Sequence, residues 1–237
     1  MKQVILAGVF VIASSVYAES LIWSNIVNKP DDLMTTEDAW TAARAEDAGF
    51  KSYRVAAEDF HLSELTKITR ISFYAMNFDA DILGGDWYIY ESTGGGPPGK
   101  LITGEAGLPL IEENTGWWSN TFQDYIMRQS VMPTNLVLGP GHYFAAFRSL
   151  ITLEQGGGKN SILTTRTSIA DTRAYWNFGV LANGSVTDTW YLMETFNLVK
   201  ENEWAFEIYG EVVPEPTSIL ALGTGLLFIL KQTRKRR

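Results

Sequence analysis

The sequence predicts an all-β body, an antiparallel β-sandwich or barrel, set between two ends that do not belong to the fold. Three observations predict it. Apolar residues recur with a period of two in many short stretches, the mark of a strand with one buried face. Gly- and Pro-rich joints separate those stretches. The chain is 46% hydrophobic and 13% aromatic, which is a core-forming composition.

The elements follow in order. Lys2, the apolar run Val4–Ala13 and the small-residue site Val16-Tyr17-Ala18 read as a secretory signal peptide over residues 1–18. Leu21–Val27 is the first strand. Glu37–Ala48 has helix-like composition, with Gly49 placed to cap it. Lys51–Ala57 is the next strand. Ile71, Phe73 and Ala75 then alternate with Arg70, Ser72 and Tyr74. Trp87 and Ile89 alternate with Tyr88 and Tyr90. Gly94–Gly99 is a joint, followed by strands at Gly99–Gly104 and Thr121–Arg128. Leu138-Gly139-Pro140-Gly141 is a tight turn ahead of Tyr143, Ala145 and Phe147, which share one face. Gly156–Gly158 and Asn183-Gly184 are further turns around strands at Ser161–Thr167, Ala174–Phe178 and Thr189–Met193. Trp204, Phe206 and Ile208 alternate with Ala205, Glu207 and Tyr209. No linker divides residues 19–213, so they read as one domain, and no solenoid or propeller repeat is evident.

Charge narrows the function. The 237 residues carry 27 acids, 19 bases, two His and no Cys. Residues 19–213 keep 13 of the bases against 26 of the acids, a net charge of −13. Such a body repels phosphate and argues against nucleic acid as a partner. The absent cysteines exclude a disulfide scaffold, a Cys-ligated metal and a Cys nucleophile. A body of this size buries about 70% of its unfolded surface and needs no staples.

Chemistry-bearing motifs are sparse. Asp79, Asp81 and Asp86 offer oxygens for a weak Ca²⁺ loop. An EF-hand starting at Asn77 fails, because Ile82 and Tyr88 stand where Gly and Glu are needed. Gly84-Gly85 marks a loop there, and acids are ordinary in loops. Glu112 and Glu113 precede Trp117 and Trp118, but glycoside hydrolysis needs two carboxylates at a set separation. His61 and His142 show no HxH or HExxH spacing and read as structural. Gly-x-Ser-x-Gly and a phosphate loop are absent. No catalytic residue, metal or cofactor is expected. Aromatics are the most telling feature. All eight Trp lie in the body, and Trp117, Trp118, Tyr88 and Tyr90 are candidate sugar-stacking residues. Adjacent Trp117 and Trp118 would point to opposite faces of a strand.

The C-terminus holds the most specific pattern. Pro214, Glu215 and Pro216 precede the apolar stretch Ile219–Leu230, then Lys231, Arg234, Lys235, Arg236 and Arg237. This triplet, short hydrophobic segment and basic end resemble the PEP-CTERM sorting signal of Gram-negative bacteria. The resemblance implies recognition by an exosortase, with transient insertion in the inner membrane. The physics agrees with it. Residues 217–230, as a helix, span about 21 Å. That is short of the ~30 Å hydrocarbon core and suits transient insertion. The basic cluster stays cytoplasmic by the positive-inside rule, which puts the body outside.

The body also resembles secreted bacterial β-sandwich domains. The likeness rests on Ala57–Leu62 with Ile68–Tyr74, on Trp87–Tyr90 with Pro98–Leu101, and on Trp204–Gly210. It implies a single jelly-roll-like antiparallel β-sandwich over 19–213, followed by the sorting segment 214–237. The expected protein is therefore exported, non-enzymatic and at the cell surface or in the extracellular matrix, with exopolysaccharide or biofilm as its setting. One alternative is a carbohydrate-binding module using exposed aromatics. A second is a glycoside hydrolase.

Overall fold

The structure, a computed structural model, describes residues 19–26, 39–41, 43–47, 50–78, 81–120, 123–151, 159–163, 175–177, 189–192 and 203–214. The expected signal peptide, Glu215, Pro216, the hydrophobic segment 217–230, the basic cluster after it and Asp79 lie outside the described residues. So do the turns expected at Gly156–Gly158 and Asn183-Gly184. Sixteen strands are described, and no helix. No described helix is therefore long and apolar enough to cross a membrane.

In chain order they are β1 (Ser20–Ser24), β2 (Ala39–Thr41), β3 (Ala43–Asp47), β4 (Phe50–Tyr53), β5 (Val55–Leu62), β6 (Thr66–Phe78), β7 (Ile82–Glu91) and β8 (Leu101–Leu108). There follow β9 (Ile111–Ser119), β10 (Asp124–Val131), β11 (Leu136–Leu138), β12 (Gly141–Ile151), β13 (Lys159–Leu163), β14 (Tyr175–Asn177), β15 (Tyr191–Leu192) and β16 (Phe206–Val212).

They form two sheets. The spine of the first is β6, 13 residues long. One side of β6 pairs with β16 and, further along, with β13. Its other side pairs with β11 and then β10. β1 extends this sheet beyond β16, and β9 extends it beyond β10. The second sheet centres on β12, flanked by β5 on one side and β7 on the other. β8, β14 and β15 widen it. The described pairings are antiparallel except for β3 beside β12.

The sheets face each other across a shared core, so the described chain is all-β and β-sandwich-like. The alternation read from the sequence selects the core residues. Ile71 and Phe73 of β6 and Phe206 and Ile208 of β16 meet Phe60, Trp87, Ile89 and Phe147 of the other sheet. Phe73 stacks on Phe147 across the gap at 4.3 Å and on Phe206 at 5.5 Å. Each such side chain removed from water contributes about 1.5–3 kcal/mol. Trp87 and Trp204 are buried in the same cluster.

Three expectations need correction. The helix expected at Glu37–Ala48 is instead β2 and β3, at 39–41 and 43–47. A 12-residue helix is marginal on its own. Here the backbone finds partners in β13, β12 and β4 instead. Gly84-Gly85 is strand interior, not loop: both residues lie in β7 opposite Leu150 and Ser149. Side chains there would collide, since a Cβ on Gly84 would sit 2.7 Å from the Leu108 carbonyl. One on Gly85 would sit 2.9 Å from Val131. The strand expected at Lys51–Ala57 breaks at Arg54 into β4 and β5.

Candidate functional site

Alternation along β6 turns Arg70, Ser72 and Tyr74 away from the core. Register then sets the neighbours. Glu207 of β16 lies beside Ser72, and Ser72 beside Ser130 of β10. Tyr74 lies beside Arg128, and Arg128 beside Glu113 of β9. The outer face of the first sheet is thus a grid of polar and aromatic side chains.

Glu207 is the hub. It is fully buried although it sits on an outer face. Tyr74 and Tyr209 donate their hydroxyls to its Oε2 at 2.9 and 2.8 Å. Ser24 donates to Oε1 at 3.5 Å. The Arg70 guanidinium lies 3.9 Å from the centre of the Tyr209 ring and pairs with Glu19 at 2.9 Å. Burial pushes the Tyr74 phenol well up, and the Glu207 carboxylate adds to that. Burial and the bond to Glu207 push Tyr209 up to about 12. Both are thus fixed donors at neutral pH.

Beside this hub lies an open cleft of about 480 Å³, lined by Tyr74, Glu113, Asn114, Thr115, Trp117 and Arg128. A bulge in β9 shapes it. Asn114 pairs with Met127 and Trp118 with Tyr125, so three residues of β9 face Ile126 alone. Gly116 takes φ 76°, a left-handed value that favours glycine. Asn114 accepts the Gly116 N–H at 2.8 Å. Thr115 donates its hydroxyl to the Ile126 carbonyl at 2.7 Å. Trp117 is half-buried and stacks on Tyr74, 5.8 Å between ring centres. Arg128 Nε donates to Glu113 at 2.7 Å. Burial lowers the Arg128 pKa, but the bond and charge of Glu113 outweigh it, so the guanidinium stays charged.

Trp118 points to the other face of β9, as the sequence predicts for adjacent strand residues. It meets Tyr125 edge to face at 5.0 Å. Both rings are exposed, at 46% and 44%. Trp117 and Trp118 therefore do not form one platform. The cleft and the Trp118–Tyr125 pair occupy opposite faces of the same β9–β10 ribbon.

The other candidates are distributed differently. Tyr88 and Tyr90 lie on the outer face of the second sheet, packed against a cluster of Val55, Ala57, Phe144, Ala146 and Tyr175. Arg148 donates to the Tyr88 hydroxyl at 3.0 Å, and Tyr90 meets Trp190 edge to face at 5.3 Å. Their ring faces are largely occupied by the protein. Asp86 is fully buried, paired with Arg148 at 2.7 Å, and accepts the Gly107 N–H at 2.7 Å. Its oxygens serve the fold, while Asp81 is exposed. Glu112 faces Gln129 in the register and accepts from it at 2.8 Å. Glu113 faces Arg128. Neighbours on one strand point apart, so these two carboxylates do not flank a common bond.

Two features escaped sequence reasoning. Tyr125 is the partner of Trp118 only through the β9–β10 register, and β9 is too polar to read as a strand. The other is Glu58. It sits fully buried in β5, and its oxygens accept the Trp204 N–H at 2.6 Å and the Asp59 N–H at 3.3 Å. Burial, then the charges of Glu203 and Asp59, push its carboxyl well above the ordinary range. The signal was present, since Glu58 and Asp59 stand between the apolar Val55-Ala56-Ala57 and Phe60.

No protein-family model, curated protein or solved structure matches this chain.

Proposed function

We propose that this chain is an exported, non-enzymatic surface or matrix protein whose β-sandwich body holds extracellular polysaccharide along the β9–β10 ribbon. The observation that carries the binding reading is the exposed Trp118–Tyr125 pair on the ribbon that also forms the cleft. Aromatic faces stack on sugar rings; the cleft residues Asn114, Thr115, Glu113 and Arg128, polar types that orient hydroxyls, lie on the opposite face of the ribbon and form a separate surface. The carboxylates there are engaged in ion pairs and hydrogen bonds, which favours binding over hydrolysis. Export rests on the signal-like start and on the PEP-CTERM-like pattern from Pro214 onward, with an exosortase as the processing partner. A jelly-roll-like strand order and a short helix at 217–230 belong to the same reading.

Binding of the full chain to a glycan array tests the first half. Trp118→Ala and Tyr125→Ala should each weaken binding by about 1–3 kcal/mol, the range for stacked aromatic platforms. Tyr88→Ala should do far less. Binding that is absent, or indifferent to Trp118, removes the sugar reading and leaves a structural matrix role. Protein mass in hosts with and without an exosortase tests the second half. The expected result is a shortening near Pro214–Pro216 only where the exosortase is present. Identical masses would mean a plain anchor.

A further inference from the structure

The chain has two histidines, 81 positions apart, and the fold puts them side by side. His61 of β5 is the register partner of His142 of β12. Their ring centres are 4.5 Å apart, with 39° between planes. The backbone explains the closeness. The His142 carbonyl accepts the N–H of Ser92, the residue that follows β7, so its main-chain groups point away from β5. In an antiparallel ladder that makes His61–His142 a non-hydrogen-bonded pair, the kind whose side chains approach most closely.

We propose that His61 and His142 form a divalent transition-metal site, open to solvent, that clips β5 to β12. Imidazole is a ligand for Zn²⁺, Ni²⁺ and Cu²⁺. Two imidazole nitrogens, each ~2.1 Å from one ion, put their ring centres roughly 4.6 Å apart at a cis angle of 90° and roughly 5.3 Å apart at the tetrahedral angle. The observed spacing falls at the near end of that range. Both rings are exposed, so an ion reaches them without opening the fold. Both stand on paired strands within the second sheet, so little ordering is needed on binding. The body charge of −13 raises the local cation concentration. Asp59 precedes His61 by two positions on β5, and Tyr90 lies on the adjacent β7, with Ser92 just past its end. Among the described residues no group of three or more metal-ligating side chains occurs, so the pair supplies two ligands and water fills the rest. The open positions distinguish the site from a closed structural zinc, and leave the ion free to accept an oxygen or nitrogen from a second molecule.

Calorimetric titration of the full chain in mild detergent, without a polyhistidine tag, with ZnCl₂ and then NiSO₄ tests this. One ion per chain is expected, with no heat from CaCl₂, since Ca²⁺ takes oxygen ligands. His61→Gln or His142→Gln leaves a single imidazole. The chelate advantage is then lost, and affinity should fall by roughly 100-fold. Zinc should also shield both imidazoles of the unaltered chain from diethylpyrocarbonate, read by absorbance, which needs no variant. Absence of binding, affinity unchanged in either variant, or imidazoles that stay reactive under saturating zinc would each overturn the site. The glycan experiment does not touch these residues, so the two readings stand or fall separately.

Discussion

Glu58 shows how one side chain can tie stability to pH. Its carboxyl is buried beside Glu203 and Asp59, and is held above the ordinary carboxylate range for that reason. A group that keeps its proton longer when folded lends stability that is complete below the unfolded value, about 4.3. That stability is lost as pH rises through the folded value. The thermal midpoint should therefore decline as pH is raised above about 4.3. Glu58→Gln removes this titration and should flatten the slope, at the cost of one accepted hydrogen bond, about 1 kcal/mol. Parallel slopes in the two proteins would show that Glu58 does not titrate in the window.

Strands were legible where one face is apolar and the other is not. β6, β7, β12 and β16 carry period-two patterns, and their inward residues are the ones the pattern selects. β9 was not legible, because Glu112, Glu113, Asn114 and Thr115 give it no apolar face; it is a strand through pairing with β10. β2 and β3 were misread for the converse reason, since alanine-rich composition favours a helix that tertiary pairing overrides. The candidate site was only half legible for the same cause. Trp118 is visible in the sequence, but its partner Tyr125 and the His61–His142 pair exist only through register. Register depends in turn on glycines at irregular points. At the shift between Tyr209 and Gly210, a Cβ on Gly210 would run into the Lys67 carbonyl. Gly210→Ala should cost about 1–3 kcal/mol through that collision. Gly139→Ala, where nothing lies within 4 Å, should change little. Urea midpoints with an unchanged m-value measure both, and equal midpoints would mean that the β16 bulge yields freely.

For the molecule as a whole, stability concentrates on the layer where Phe73, Phe147 and Phe206 meet. Phe206→Ala should cost about 3–5 kcal/mol, because it leaves a cavity between two sheets that cannot close onto each other. Loss of only a fraction of that in a denaturation curve would mean that the sheets slide together. A chain stopped at Glu203 lacks Phe206 and all of β16, and exposes one edge of β6 along Thr66–Phe73. It should lose its near-ultraviolet aromatic dichroism and aggregate, as uncovered long strands do. A native spectrum from that truncation would show that β6 does not need β16.

The pairing of β1 with β16 joins residues about 190 positions apart, and β16 ends two residues before Pro214. The first of the described strands therefore waits for the last of them before its sheet can close. Any machinery that moves this chain lengthwise, leading end first, handles a polypeptide whose seam is still unsewn. Closure of the seam brings Pro214 to the rim of the finished sheet in the same event. Completion of the described sheet and placement of Pro214 are thus timed by a single strand.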